Sequence, residues 1–466
     1  MGFYFDQGRD ALAVWKFWHE GKPFLIGPVT GLAGIFLGPL YYYLIAPFYL
    51  IGGGNPVYPA IFLAFLSTLA VLMLFVIGRD MHSRGAGLIA ATIGGLSYYI
   101  VTTSRWLSNP NPILLSSLIL LYSMWKIIQG NDKRWWVVTV LMVGISLHFE
   151  SASAVFYLPI FFIFTIWQLK KLSGGKIIII SALAFLATLL PQIIFNFRHE
   201  NILINNFRSL LFEERAFKGL TKFIFEERMK FFWNVIFSKI YPSKEIYSIL
   251  FITLSASAMF VGRERIKKGL LKLFLIFFLV PFFGYLFFQG NFGNIFDYYL
   301  SGYYLPIILF IAIGLAEIWK TKYLKFLILI FLITFMREHS VLLRNMLSNG
   351  LDGPTDIKFG SQIKAVNWVF ENAQGRGSFN IDVYVPPVIP YAYDYLFLWQ
   401  GTERCGTNLC GKVDQNLPLL YTLYEQDPPN PDRLEVWLAR QKGIGIVEEE
   451  ARFGGITVQR RTRIKN

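Results

Sequence analysis

No charged side chain occurs between Pro23 and Gly78, and uncharged apolar runs recur as far as Met336. A helix needs roughly 20 apolar residues to cross a bilayer, and lipid tolerates no unpaired backbone polar groups. Runs of this length and number exclude an ordinary soluble chain and specify a polytopic helical membrane protein. The composition, 54% hydrophobic and 16% charged, agrees. Ten spans are predicted, at 57–78, 86–103, 112–129, 135–149, 151–169, 177–197, 246–262, 273–288, 303–319 and 325–343. The loops sort by charge. Those at 79–84, 126–134, 170–176, 263–268 and 320–325 are basic, whereas the turns around Ser151 and over 290–297 carry no Lys or Arg. Basic loops remain cytoplasmic, so the C-terminus and the stretch before residue 57 are expected outside. The net charge of +14 is thus distributed over short loops rather than gathered on one face, which argues against nucleic acid as a partner.

In the first 56 residues two carboxylates and an arginine sit within five residues: Asp6, Arg9 and Asp10. The pattern predicts a short helix with Asp6 as N-cap and Gly21 just past its end. Spacings of three and four put Asp6, Arg9 and Asp10 on one face. A carboxylate at a positive helix end beside a guanidinium stays ionised, as a general base must. The plainer reading is that Asp6 caps a helix and Arg9 pairs with Asp10. The apolar stretch 32–51 is long enough to cross, although Gly34, Gly38, Pro39 and Pro47 punctuate it. Were it to cross, Asp6 would be cytoplasmic.

Beyond about residue 352 the composition changes. A turn at GPTD, helices at 361–372 and 434–441, and strands at 379–385, 421–425, 445–448 and 456–459 predict a small extracytoplasmic α/β domain over 352–466. Cys405 and Cys410, the only cysteines, form a C-x4-C pair. On an oxidising face that spacing favours a small-loop disulfide over half of a metal site. The loop 198–244 interleaves aromatic and charged residues in the manner of amphipathic helices lying on a membrane surface.

No phosphate-binding loop, H-E-x-x-H or G-x-S-x-G occurs. Polar residues instead cluster at the outer ends of spans: Arg105 with Ser108, Asn109 and Asn111; His148 with Glu150; Asn196 with Arg198, His199 and Glu200; and Asp297 with Tyr298 and Tyr299. Singly, each has an ordinary explanation: arginines snorkel, tyrosines form interfacial belts and a buried histidine is a hydrogen-bonded one. Several clusters on one face, opposite Asp6, point to a site there.

At FDQGRDALAVWKFWHEGKPFLIGP followed by GPLYYYLIAP the chain resembles the GT-C glycosyltransferases. It is most similar to the lipid A aminoarabinose transferase and protein O-mannosyltransferase group, family 39-like. That group carries an Asp-Glu-x-Arg-Tyr-Ala motif, which Asp6, Arg9 and Ala11 match while Gln7 and Asp10 depart from it. Its Pro-Pro-Leu-x-Tyr-Trp segment is matched with changes by Gly38, Pro39, Leu40, Tyr42 and Tyr43, where Gly38 replaces the first proline and Tyr43 the tryptophan. The resemblance implies an all-α GT-C-like membrane domain over 57–343 with a C-terminal α/β domain. It also implies that the 32–51 segment lies at the outer interface, and that a first helix is expected upstream of Met1. It implies an inverting transfer of a hexosyl or pentosyl group from a polyprenyl-phosphate donor to a lipid, glycan or protein hydroxyl at the cell envelope. Asp6 would be the base, with Arg9, Asp10, Gln7, Tyr42 and Tyr43 around the donor. Arg105, His148, Arg198 and Tyr298 join that set from their position at the outer ends of spans. No cofactor is required, a divalent cation is left open, and membrane lipids are the remaining partner. The rival readings are a lipid-linked sugar flippase or transporter, and an inactive relative that binds a partner.

Overall fold

The computed structural model describes residues 1–464 apart from 33, 173, 214–215, 291–292, 322, 350–355 and 387–388. The GPTD turn and the start of the C-terminal domain therefore lie mostly outside the described residues. The chain opens with helix α1, Phe5–Glu20, which ends at Gly21 in the left-handed conformation (φ +65°). Asp6 is not its cap. Tyr4 takes that position, and its backbone N–H donates to Gln7 Oε1 at 3.0 Å. Asp6 falls in the first turn instead, where a carboxylate is still favoured by the helix dipole.

Helix α2, Leu40–Ile51, has 12 residues and covers only about 18 Å at 1.5 Å per residue. It is preceded by a turn closed by a bridge between Val29 and Phe36, so 32–51 does not form one spanning helix. The membrane body continues through α3 (Val57–Met81), α4 (Arg84–Leu96), α5 (Tyr98–Ser104), α6 (Ile113–Ile128) and α7 (Arg134–Phe149). The four-residue α8 (Ser151–Ala154), α9 (Tyr157–Trp167) and α10 (Gly175–Arg198) follow. The long loop over 198–244, expected on the outer side, folds into α11 (Ile202–Arg208), α12 (Lys222–Phe232) and α13 (Ser238–Ile240). Helices α14 (Glu245–Val261), α15 (Leu270–Phe287), α16 (Ser301–Trp319) and α17 (Lys325–Asn349) complete the body.

Among the described residues, five helices are long and apolar enough to cross a membrane, or seven if each of two bent pairs is one span. The ten predicted spans fall on these five helices, on the two bent pairs and on three shorter apolar helices, Ile113–Ile128, Arg134–Phe149 and Ser151–Trp167. The span expected at 86–103 bends by 61° between α4 and α5. Ser97 caps the second piece by accepting from Ile100 N, and the backbone N–H of Tyr98 is taken by His339 Nδ1 at 2.9 Å. His339 Nε2 donates to Ile240 O at 2.8 Å, so this histidine on α17 joins the break to the outer loop. That pairing explains why α17 continues through Arg337, Glu338 and His339. Helix α16 is the axle of the bundle, buried along nearly its whole length, whereas α10 is exposed on most faces, as a lipid-facing helix is.

The C-terminal part contains α18 (Phe359–Ala373), β1 (Asn380–Tyr384), α19 (Tyr391–Cys405), β2 (Leu419–Glu425), α20 (Pro431–Ile444), β3 (Gly445–Phe453) and β4 (Ile456–Arg463). The four strands form one sheet in the order β1-β2-β4-β3, with β1 and β2 parallel and the other pairs antiparallel. Cys405 and Cys410 form a disulfide at the end of α19. Sequence periodicity does not reveal α19, whose segment YAYDYLFLWQ is almost uniformly aromatic and apolar. It is buried on both sides, against the sheet domain and against α1. Gly8 makes that second contact, because a Cβ there would lie 2.3 Å from Ala392 N. Phe3 is fully buried between Phe359 and Tyr395, and Trp399 Nε1 and Tyr395 Oη donate to the carbonyls of Gly53 and Gly54. The α/β domain is thus docked on the N-terminal helix rather than held as a separate body.

Glu425 lies inside this junction. It accepts from Tyr393 Oη at 2.7 Å and from Gln362 Nε2, which also donates to Phe3 O. Burial pushes its carboxyl up to about 7, against the hydrogen bonds from Tyr393 and Gln362. A carboxyl with a raised native pKa stabilises the fold at low pH, and that contribution is lost as pH rises from about 4.5 to 7. Between pH 5 and 8 the native protein is expected to lose about 3 kcal/mol from this group alone. Thermal unfolding in detergent of the parent and of Glu425→Gln checks this. The variant should show a shallower decline with pH, and parallel pH profiles would refute the assignment.

Candidate active site

Helix α1 presents three ionisable groups in two turns. Arg9 Nη1 contacts Asp6 Oδ1 at 2.9 Å, while Nη2 and Nε converge on Asp10 Oδ1 at 2.8 and 3.0 Å. The two carboxylates sit in different surroundings. The Asp6 side chain is 55% exposed and that of Asp10 is 4% exposed. Tyr42, the second tyrosine of the YYY segment, donates its hydroxyl to Asp10 Oδ1 at 3.1 Å. Burial raises the Asp10 carboxyl to about 6 against the lowering effect of Arg9. Although its own burial opposes charge, Arg9 is held firmly protonated by Asp10 and Asp6. Asp10 and Tyr42 therefore anchor the guanidinium from behind, leaving Asp6 as the carboxylate that faces open space.

That space is a cavity of about 290 Å³. Asp6 and Arg9 lie on its wall with Trp106, Asn109, Glu150 and Tyr298. Most of the remainder is apolar, including Leu32, Ile35, Leu37, Phe156, Leu210, Phe217 and Phe288, with Thr30, Ser151, Tyr285 and Tyr299 among them. The turn before α2, Phe207 of α11 and the residues Leu210, Leu211, Ala216 and Phe217 that follow it flank this apolar side. The cavity combines a charged end with a greasy chamber, the division a lipid-linked anion requires.

The other predicted site residues are placed differently. Gln7 is buried and spends its amide on backbone, accepting from Tyr4 N and donating from Nε2 to Leu107 O at 3.1 Å. His148 is buried, accepts from Leu40 N at Nδ1 (3.3 Å) and donates from Nε2 to Thr188 O (2.7 Å). It joins α7, α10 and the start of α2, and it is not on the cavity wall. Tyr43 exchanges hydrogen bonds with the backbone of Phe24 at the surface. Arg198 is exposed at the end of α10, away from the cavity. Arg105 lines a second, larger hollow of about 730 Å³ with Tyr99, Thr102, Lys239 and Asp297. The two hollows share the wall residues Trp106, Pro110 and Tyr298. Geometry thus brings Asp6, Arg9 and Tyr298 together, sets Asp10 and Tyr42 behind them, and leaves Gln7, Tyr43, His148, Arg105 and Arg198 outside. Glu150 and Asn109 are the polar wall residues that sequence reasoning did not select; their signal was only their position at the outer ends of spans. Among the described residues no three His, Cys, Asp or Glu side chains gather in a metal-holding group.

The backbone as a whole superposes on ArnT from Cupriavidus metallidurans bound to undecaprenyl phosphate. The TM-score is 0.62 at 10% identity, over 98% of this chain and 94% of that one. The fold is that of the GT-C glycosyltransferases. The apo form of the same ArnT aligns over the same shares with a TM-score of 0.61 and 10% identity. The model of the dolichyl-phosphate-mannose-protein mannosyltransferase family matches residues 37–195, the stretch from α2 to α10. The GT-C similarity therefore spans the membrane body and the small C-terminal sheet, while the family model begins after Asp6 and Arg9. No curated protein sequence matches the chain.

Proposed function

We propose that this multi-pass GT-C protein is an inverting glycosyltransferase that moves a sugar from a polyprenyl-phosphate donor to a hydroxyl acceptor at the outer membrane face. The observation that carries the reading is the pairing of Asp6 with a braced, permanently charged Arg9 at the polar end of an apolar cavity. ArnT, which has the same fold, binds undecaprenyl phosphate, and the matching family model is named for a dolichyl-phosphate-mannose enzyme. The outer face is supported by the charge alternation of the loops and by the Cys405–Cys410 disulfide in the domain packed on α1, since disulfides persist in oxidising compartments.

In this reading the polyprenyl chain lies among Leu32, Phe156, Phe217 and Phe288, and Arg9 holds the phosphate with the N–H groups not engaged by Asp6 and Asp10. Asp6 takes the proton of the acceptor hydroxyl as its oxygen bonds to the anomeric carbon. The carbon–oxygen bond to phosphate breaks on the opposite side, and polyprenyl phosphate leaves with that electron pair. One displacement inverts the anomeric configuration, and a phosphate leaving group needs no strong acid. Arg9 holds Asp6 in place through the 2.9 Å contact, so base and leaving-group clamp move as one unit on α1.

The test supplies membranes containing the protein with labelled polyprenyl-phosphate sugars and an envelope acceptor extract. Label transferred to an acceptor supports the proposal. Label carried across the bilayer without transfer would replace it with a transporter. Arg9→Lys, which keeps the charge but loses the fork, is expected to lower transfer at least tenfold with a raised donor KM. An unchanged KM would remove the phosphate role from Arg9.

A further inference from the structure

Among the described residues Glu150 is the one carboxylate besides Asp6 on the cavity wall, and nothing in the reaction outlined above uses it. It is 4% exposed, in the turn between α7 and α8. Its oxygens accept from Ala152 N at 2.7 Å and from Ser153 N at 2.6 Å, one donor each. A carboxylate offers about four acceptor positions, so two remain. Among the described residues no Lys, Arg or His forms an ion pair with it. Capping a four-residue helix does not require so costly a group, since a serine or threonine supplies the same acceptor without burying a charge. The groups it faces across the hollow are the Asp6–Arg9 pair and the tyrosines Tyr285, Tyr298 and Tyr299. Both Ser153 Oγ and Tyr285 Oη donate to Tyr299 O, which ties the turn carrying Glu150 to the start of α16. The carboxylate is thus fixed in place, partly unsatisfied and aimed into the chamber.

An anionic acceptor in a cavity that holds a phosphate would repel that phosphate if the two met. The arrangement is sensible when the group between them donates hydrogen bonds, as sugar hydroxyls do. Resting on the glycosyltransferase reading, we infer that Glu150 is a specificity-determining residue that accepts hydrogen bonds from hydroxyls of the donor sugar, with Arg9 holding the phosphate at the other end of the same ligand. Burial pushes the Glu150 carboxyl up to about 7, against the hydrogen bonds from Ser153 and Ala152, and a donated hydroxyl supplies stabilisation the protein withholds.

The test reads binding rather than turnover. Full-length protein in lipid nanodiscs is titrated with polyprenyl-phosphate glucose, mannose and galactose, each beside its monodeoxy analogues. The parent is expected to bind its preferred sugar at least about tenfold more tightly than one particular deoxy analogue, because a site built for a hydroxyl rejects the ligand lacking it. Glu150→Gln and Glu150→Ser should abolish that difference by weakening the hydroxylated donor alone. Serine retains a helix cap but is too short to reach the ligand, so it separates the two roles. A parent that does not discriminate among deoxy analogues overturns the inference, as does Glu150→Ser that still discriminates. So does a discrimination that appears only when a divalent cation is added, since the carboxylate would then be holding the ion. A parent that binds with discrimination but transfers nothing would leave this assignment standing and remove the transferase reading instead.

Discussion

Asp6→Asn is expected to reduce glycosyl transfer by about 10³-fold while leaving donor binding close to that of the parent. Asparagine keeps the shape and can still meet Arg9 Nη1 through its carbonyl oxygen, so α1 and the guanidinium stay where they are. What disappears is the proton acceptor. Of the two carboxylates that pair with Arg9, only Asp6 has open space in front of it: Asp10 is enclosed by Arg9 and Tyr42 and its side chain is 4% exposed. Asp10 therefore cannot take over by a side-chain rotation. Single-turnover transfer and equilibrium donor binding, measured on the same membranes, separate the two effects. Transfer within a few-fold of the parent would remove Asp6 as the base. Loss of binding together with transfer would make Asp6 a positioning group for Arg9.

Gly8→Val is expected to be the most damaging single substitution outside the charged cluster. A Cβ at Gly8 would stand 2.3 Å from Ala392 N, 2.4 Å from Tyr391 C and 2.5 Å from Ala392 Cα. These are backbone atoms of a helix packed against its own domain and cannot yield as a flexible side chain would. Helices α1 and α19 must separate, opening the junction that buries Phe3 and Ala11. Overpacking of this kind costs about 3 kcal/mol. Because Asp6 and Arg9 flank Gly8, a shift of about 1 Å also costs on the order of 100-fold in rate. Gly443→Ala, in the same domain with nothing within 4 Å of its Cβ, is the control and should change neither property. Thermal unfolding and transfer measured on both variants test the claim. A Gly8→Val protein with parental unfolding temperature and activity would show that the docking is not what positions α1.

Several features were legible because they follow from composition and short-range pattern. Uncharged runs and basic loops define a multi-pass helical body, since lipid penalises charge and unpaired backbone. The helix ending at Gly21 was readable from a left-handed C-terminal glycine. The strands and two helices of the C-terminal domain follow from alternation and helical periodicity, and the disulfide from the C-x4-C spacing. Helix α19 was not legible, because a segment packed on two sides, with its aromatic and apolar residues nearly continuous, shows no clear period. The break within the span at 86–103 has a similar cause. Hydropathy sums over a window and does not register the bend at Ser97 that His339 holds in place from 241 residues away.

The polar residues near the membrane surface show where local reading stops. His148, Gln7 and Arg105 have the chemistry of ligands, and the first two are consumed by backbone groups distant in sequence while the third faces a different hollow. Glu150 reads only as a polar neighbour of His148 until the fold places it on the same cavity wall as Asp6. By itself the sequence determined that this chain lives in a membrane and that Asp6, Arg9 and Asp10 share a helical face, because those properties depend on side-chain chemistry and spacing along one element. Only the tertiary structure decided which of the two carboxylates is open, which arginine is braced and which polar groups remain unsatisfied. Those depend on burial, and burial is set by segments that meet only after the chain has folded.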